Sequence, residues 1–211
     1  MSGPHQDQPI RQSGPALDDA DAAIVYVHGR GDTPDGILRL HRFIGQPDVA
    51  AIAPAAADQT WYPNSFLEPV ETNEPGRKSG LQAIADAVSM ATDAGIPPER
   101  ILLVGFSQGA CLVAEFLVAH PVHYGGAGIL SGGFLGTNLD RVPRDADLDS
   151  TPVFLGCSDN DPYIPLRRVT ETSEILEALG ASVTTEIYEN RPHSVYAEER
   201  EQLATMVDNL R

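Results

Sequence analysis

Lysine is nearly absent from this sequence. Lys78 is the only lysine in 211 residues, and arginine supplies the rest of the 14 basic residues. Against 30 acidic residues this leaves a formal net charge of −16. Proteins bind nucleic acids and anionic membranes largely by neutralising phosphates with lysine and arginine. We therefore expect no nucleic-acid partner and no stable membrane association.

Cysteine and long apolar runs are also scarce. Cys111 and Cys157 are the only cysteines, and both fall in apolar stretches that we expect to be buried. They form no C-x-x-C pair, and no histidine or aspartate pair shows metal-ligand spacing, so the sequence predicts core thiols and no metal site. No apolar run reaches the length of a membrane span, and residues 1–20 lack the apolar core of a signal peptide. The sequence predicts a cytoplasmic protein.

The remaining sequence indicates one α/β domain. Residues 1–20 are rich in proline, glycine, glutamine, serine and aspartate, which predicts a flexible N-terminal leader. From residue 21 to residue 211, short apolar runs alternate with helical patterns, without an internal repeat or a dividing linker. This alternation predicts a single doubly wound, mostly parallel sheet of about six to seven strands.

One segment links a strand to a helix through a serine. The apolar run at residues 101–104 leads into Gly105-Phe106-Ser107-Gln108-Gly109, and a second apolar stretch follows directly. Two glycines around Ser107 permit a sharp turn that exposes the hydroxyl above the sheet edge. The same turn places the Gln108 N–H at a helix N-terminus, where it can face a developing negative charge. The motif predicts a serine nucleophile.

Other polar residues follow later strands of the predicted sheet. In parallel sheets, sites form where strands end, and Asp161 and His193 each follow a strand there. The chain order Ser107, Asp161, His193 is that of the α/β hydrolases. A histidine base activates a serine best when a carboxylate holds its other nitrogen. Asp159 is the alternative acid, but Asp161 is preferred because Pro162 imposes an extended backbone on it.

Two further features complete the predicted site. An oxyanion hole needs two donors, for which we expect the N–H groups of Gln108 and of Arg30, which lies between Gly29 and Gly31 after the first strand. The irregular loop at residues 54–80 carries the only tryptophan, and it predicts either one wall of an apolar substrate pocket or a loop that only closes the edge of the core. The candidate lining residues are Trp61, Tyr62, Phe66, Leu67, Phe134 and Leu135.

These segments together resemble the phospholipase/carboxylesterase family. The resemblance is carried by residues 28–32 (HGRGD), 105–109 (GFSQG), 161–165 (DPYIP) and 192–194 (PHS), and it covers about residues 20–211. It implies a compact α/β-hydrolase fold without a large cap domain, and no cofactor. It also implies a Ser107–His193–Asp161 triad and an oxyanion hole at Arg30 and Gln108. The chain departs from the family at Arg30, where an apolar residue is usual.

The expected activity is hydrolysis of small-molecule carboxylic esters with short to medium acyl chains. A thioesterase or a lysophospholipase would use the same residues, so both remain alternatives within the enzymes. A binding module that keeps the fold without turnover is the alternative from another class, although an intact Ser, Asp and His argue against it. The loop aromatics would suit a homodimer interface as well as a pocket.

Overall fold

A seven-stranded sheet forms the centre of the molecule, as the computed structural model shows for residues 3–210. Its order is β1-β3-β2-β4-β5-β6-β7, with β1 antiparallel to β3 and the other six strands parallel. The predicted doubly wound, mostly parallel sheet is thereby confirmed. The strands are β1 Ile10–Ser13, β2 Ala22–Val27, β3 Val49–Pro54, β4 Ile101–Phe106, β5 Gly126–Leu130, β6 Pro152–Ser158 and β7 Ser182–Tyr188.

Helices connect the strands and cover both faces of the sheet. They are α1 Pro34–Ile37, α2 His41–Ile44, α3 Gly76–Asp93, α4 Gln108–Ala119, α5 Leu166–Ala178 and α6 Ala197–Asp208. Short 3-10 segments lie at Leu17–Asp19, Leu38–Leu40, Ala57–Gln59, Val70–Asn73 and Pro98–Arg100. Within residues 3–210, no helix combines the length and the apolarity needed to cross a membrane.

The core is divided by the sheet into two layers. Alternate residues of a strand point to opposite faces, so Val25 of β2 packs on one side and Ile24 on the other. The first layer includes Ile84 of α3 and Leu112 of α4, and the second includes Leu203 of α6. Because both faces are covered, the central strands are apolar throughout, and β2 is buried at all six positions.

The N-terminal segment differs from the predicted flexible leader. Residues 10–13 form β1, which extends the sheet at its edge by pairing with residues 51–54 of β3. The composition of the segment did not predict this strand, because a sheet edge offers unpaired main-chain groups and pairing with them needs no apolar side chains. The ends of the predicted leader and domain, at residues 1–2 and 211, lie outside the described residues.

His5 fastens this segment to the loop that precedes α3. Its Nδ1 accepts a hydrogen bond from the Ala57 N–H at 3.0 Å, and its Nε2–H donates to the Trp61 carbonyl at 2.9 Å. The main-chain N–H of His5 donates to Ser79 Oγ at 2.9 Å. Burial lowers the pKa of His5, which keeps the ring neutral and able to accept a hydrogen bond at Nδ1.

Replacing His5 with alanine is expected to destabilise the protein. The substitution removes the partners of the half-buried Ala57 N–H and the buried Trp61 carbonyl, and one unsatisfied buried group typically costs about 1–3 kcal/mol. Urea denaturation should therefore give a lower midpoint for His5→Ala, whereas Asp7→Ala, at an exposed neighbouring position, should match the wild type. Equal midpoints for all three proteins would show that the segment is not held by His5.

Candidate active site

Ser107 lies at the apex of the turn between β4 and α4. Its backbone has φ 54° and ψ −118°, a conformation that is rare for any residue other than glycine. The Ser107 N–H donates to the Leu130 carbonyl at 2.9 Å, and the Ser107 carbonyl accepts from the Cys111 N–H at 3.1 Å. These bonds hold the strained turn between β5 and the first turn of α4.

The two glycines of the motif make this turn possible. A Cβ atom at Gly109 would lie 2.1 Å from the Val27 carbonyl oxygen, and one at Gly105 would lie 2.5 Å from the Gly109 carbonyl oxygen. Both distances are far below van der Waals contact, so α4 can approach β2 and β4 closely only with glycine at these positions. The G-x-S-x-G spacing therefore reflects packing around the serine.

His193 bridges Ser107 and Asp161. Its Nε2 lies 2.9 Å from Ser107 Oγ, and its Nδ1 lies 2.6 Å from Asp161 Oδ2. The Asp161 carboxylate is fully buried, and its Oδ1 accepts from the N–H groups of Tyr163 and Ile164 at 2.9 and 3.0 Å. An ionised carboxylate at Nδ1 fixes that proton on the ring and leaves the Nε2 lone pair facing the Ser107 hydroxyl.

Asp159 has a different role from Asp161 in this arrangement. Its Oδ1 accepts the Asn190 N–H at 2.8 Å, which connects the loop after β6 to the loop that carries His193. Within residues 3–210, the structure shows no hydrogen bond or ion pair between Asp159 and the His193 imidazole. Of the two acids that the sequence left open, Asp161 is therefore the one that the structure brings to His193.

The loop after β2 passes beside Ser107. A Cβ atom at Gly29 would lie 3.4 Å from Ser107 Cβ, so Arg30 follows at the rim of the site. His28 is fully buried and shapes this loop: its Nδ1–H donates to the Gly29 carbonyl at 2.8 Å, and its Nε2 accepts the Ala56 N–H at 3.1 Å. Within residues 3–210, the N–H groups of Arg30 and Gln108 have no protein acceptor. Both remain available as oxyanion donors.

A cavity of about 570 Å³ opens beside Ser107. The loop at residues 62–66 forms one wall, and Tyr163 and Ile164 from the loop after β6 also line the cavity. The full set is Gly29, Arg30, Asp32, Tyr62, Pro63, Asn64, Ser65, Phe66, Phe106, Ser107, Gln108, Cys111, Tyr163, Ile164 and His193. The volume is that of a small-molecule site.

The predicted pocket lining is corrected at four positions. Tyr62 and Phe66 border the cavity, but Trp61, Leu67, Phe134 and Leu135 do not. Trp61 is fully buried because its indole N–H donates to the His28 carbonyl at 2.8 Å, which turns the ring inward. Leu67 packs against the core.

Phe134 and Leu135 are drawn into the core by polar contacts with two helices. The Phe134 N–H donates to Thr172 Oγ1 at 3.1 Å and its carbonyl accepts from Arg168 at 2.7 Å, both from α5. The Leu135 N–H donates to the buried Glu115 of α4 at 3.0 Å. The loop after β5 is therefore held away from the cavity.

Comparison with known proteins places these observations in a family. The model of a family described as phospholipase/carboxylesterase matches residues 15–210. The chain belongs to this family. Membership identifies it as a hydrolase of the esterase and thioesterase kind, with the α/β-hydrolase fold and no large cap domain.

Individual relatives agree with this assignment. A crystal structure of a phospholipase/carboxylesterase from Dyadobacter fermentans is 34% identical, with a TM-score of 0.91 and coverage of 98% of this chain and 99% of that one. Acyl-protein thioesterase 1 of Saccharomyces cerevisiae is 27% identical over 221 residues, covering 95% of this chain and 93% of the yeast protein. The Bacillus cereus carboxylesterase, at 19% identity and a TM-score of 0.75 over 98% of this chain and 96% of its own, shows the same fold.

The sequence of this phospholipase/carboxylesterase family member did not predict several residues of the site. Phe106 and Tyr163 flank the His193 ring at centroid distances of 4.9 and 5.0 Å, and Cys111 and Ile164 border the cavity. A signal was available for Cys111, because residue i+4 from Ser107 lies one helical turn above it. Within residues 3–210, no group of three or more histidine, cysteine, aspartate or glutamate residues is arranged to hold a metal ion.

Glu199 lies beneath the loop that carries His193. Its Oε2 accepts the Tyr196 N–H at 2.8 Å, and the Tyr196 hydroxyl donates to the Pro192 carbonyl. Glu199 is fully buried, and its Oε1 has no hydrogen-bond partner within residues 3–210. Burial raises the pKa of the Glu199 carboxyl from 4.5 to about 7.

The buried carboxyl predicts a pH-dependent difference in stability between the wild type and Glu199→Gln. The folded protein keeps a proton on Glu199, whereas the unfolded chain releases this proton once the pH exceeds about 4.5. The free energy of unfolding therefore falls as pH rises from about 4.5 to 7. Glutamine cannot ionise, so the free energy of unfolding of Glu199→Gln should rise by roughly 3 kcal/mol relative to that of the wild type across this range. Urea denaturation at several pH values measures the difference.

The exposed Glu201 on the same helix provides the control. Glu201→Gln should follow the wild-type pH dependence, because its carboxyl is exposed in the folded protein. If the difference between Glu199→Gln and the wild type were the same at every pH, the Glu199 carboxyl would not be the titrating group.

Proposed function

We propose that the protein is a serine esterase that cleaves carboxylic esters with short to medium acyl chains. The observation that carries the proposal is the connected path from Ser107 Oγ through His193 to Asp161, with distances of 2.9 and 2.6 Å. A serine hydroxyl attacks a carbonyl efficiently only when a base removes its proton during attack, and this path supplies the base and its orienting carboxylate. The cavity volume of about 570 Å³ supports the proposal that the acyl chain of the substrate is short to medium in length.

The reaction proceeds through an acyl-enzyme. Ser107 Oγ attacks the ester carbonyl while His193 Nε2 takes the hydroxyl proton, and the oxyanion that forms is received by the Arg30 and Gln108 N–H groups. Collapse of this intermediate breaks the C–O bond, and His193 returns the proton to the departing alcohol. Water then gives a proton to His193 and attacks the acyl carbonyl. His193 passes this proton to Ser107 Oγ as the bond between the acyl carbon and Ser107 Oγ breaks, which releases the carboxylic acid and restores Ser107. Asp161 stays ionised and holds the His193 Nδ1–H throughout.

Thioester hydrolysis is the second candidate. The yeast relative is named acyl-protein thioesterase 1, and the same machinery accepts a thiolate leaving group. Turnover of an S-butyryl thioester and an O-butyryl ester that share the same leaving-group skeleton would separate the two, since the proposal predicts a higher kcat/KM for the ester.

We also propose a cytoplasmic location, which is supported by two free, buried cysteines.

The two neighbouring aspartates provide a matched test of the proposed site. Asp161→Asn should lower kcat for ester hydrolysis by about 10³–10⁴-fold, because an amide no longer fixes the productive His193 tautomer. Asp159→Asn keeps an oxygen that can accept the Asn190 N–H, and it should retain near wild-type kcat. Steady-state kinetics on a butyryl ester measures both.

The outcomes discriminate sharply because both variants carry the same chemical change two residues apart. A large loss in Asp159→Asn with full activity in Asp161→Asn would exclude Asp161 as the orienting carboxylate. Wild-type protein that is folded but turns over neither ester nor thioester would instead favour the non-catalytic binding module.

A further inference from the structure

The Arg30 side chain is bound to the cavity wall. Its Nη1 donates to the Pro63 carbonyl at 3.0 Å, and its Nη2 donates to the Tyr62 and Asn64 carbonyls at 2.8 and 2.9 Å. Three successive carbonyls of one loop thus surround a single guanidinium. A fork of fixed N–H donors suits this arrangement, which a flexible ammonium would not reproduce.

The Gln108 side chain binds the same loop. Its Oε1 accepts the Trp61 N–H at 2.8 Å, and its Nε2 donates to the Tyr62 carbonyl at 2.8 Å. The side chain is buried, so these bonds lie out of contact with solvent. The Tyr62 carbonyl therefore accepts hydrogen bonds from both Arg30 and Gln108.

The same two residues provide the proposed oxyanion donors from their main chain. Each would therefore join two parts of the site, the proposed oxyanion hole and residues 61–64, which we call the wall loop. The Arg30 side chain bonds residues 62–64 of the wall loop, and the Gln108 side chain bonds residues 61 and 62. Tyr62, Pro63 and Asn64 of the wall loop border the cavity, followed by Ser65 and Phe66. The distance between the oxyanion hole and the surface that an acyl chain would contact is thereby set by two side chains.

We propose that Arg30 is a specificity-determining residue, whose side chain sets acyl-chain selectivity by holding the wall loop at a fixed distance from the oxyanion hole, with Gln108 as its partner. This inference rests on the proposed esterase function. Arg30 acts through the wall loop, because three of its five N–H donors are directed to main-chain carbonyls of that loop. A substrate that reaches the wall loop depends on this support, and an acetyl group that ends beside Ser107 does not.

Substitution at Arg30 combined with a series of acyl chains tests the proposal. Arg30→Met keeps the aliphatic stem and removes every donor, while the main-chain N–H remains for the oxyanion. The ratio of kcat/KM for a hexanoyl ester to kcat/KM for the acetyl ester of the same alcohol should fall about tenfold or more, mainly through KM for the hexanoyl ester, because displacing a positioning surface affects most the groups that touch it. Arg30→Lys should give an intermediate loss on the hexanoyl ester.

Coupling between Arg30 and Gln108 gives a second, independent readout. Since both side chains bond the Tyr62 carbonyl, the combined Arg30→Met and Gln108→Leu variant should lose less hexanoyl-ester activity than the product of the single losses. Arg39→Met, at an exposed arginine on the segment after α1, is the control and should match the wild type on both esters. Thermal melting of each variant confirms that the comparison is made between folded proteins.

Each alternative result has a distinct meaning. Equal losses on acetyl and hexanoyl esters, or no loss on either, would overturn the role of Arg30 in selectivity. A loss confined to a hemisuccinate ester, whose acyl chain ends in a carboxylate, would overturn it in favour of direct anion binding. Failure of the wild type to hydrolyse either ester would instead contradict the esterase function itself.

Discussion

The strained backbone at Ser107 is the constraint on which the rest of the site depends. With φ at 54°, the serine occupies a region that costs about 1–3 kcal/mol, and the surrounding packing must maintain it. Close approach of α4 to β2 does this, since Gly109 has no room for a Cβ atom beside the Val27 carbonyl. The buried central strands thereby hold Ser107 out of the sheet and beside the cavity.

The polar parts of the site are assembled around this turn from separate regions of the chain. His193 and Asp161 come from loops after β7 and β6, which meet because the sheet is parallel and these strands are neighbours. On the other side, the loop after β2 and the wall loop are joined through the side chains of Arg30 and Gln108 and through His28 and Trp61. The N-terminal segment adds His5 beneath the same loop. Residues outside the cavity lining, namely His5, His28 and Trp61, thus help to determine its shape.

The parts of this structure that the sequence predicted are those that depend on local spacing. The strand, Ser107 turn and α4 follow from glycines at fixed offsets, and the positions of Asp161 and His193 follow from the rule that parallel strands end at one edge. Hydrogen bonds between distant segments were not predictable in this way. The wrong predictions have this cause: β1 joins the sheet through main-chain groups, and Phe134 is drawn into the core by Arg168 and Thr172 of α5.

The most direct test of an activated serine is labelling of the purified protein with a fluorophosphonate probe, followed by mass mapping of the adduct. The account predicts a single phosphonyl adduct on Ser107 that is strongly reduced when His193 is replaced with alanine, because a serine without its base is a poor nucleophile. Folded wild-type protein that remains unlabelled, or that is labelled equally well without His193, would contradict the proposal that Ser107 and His193 form a catalytic pair.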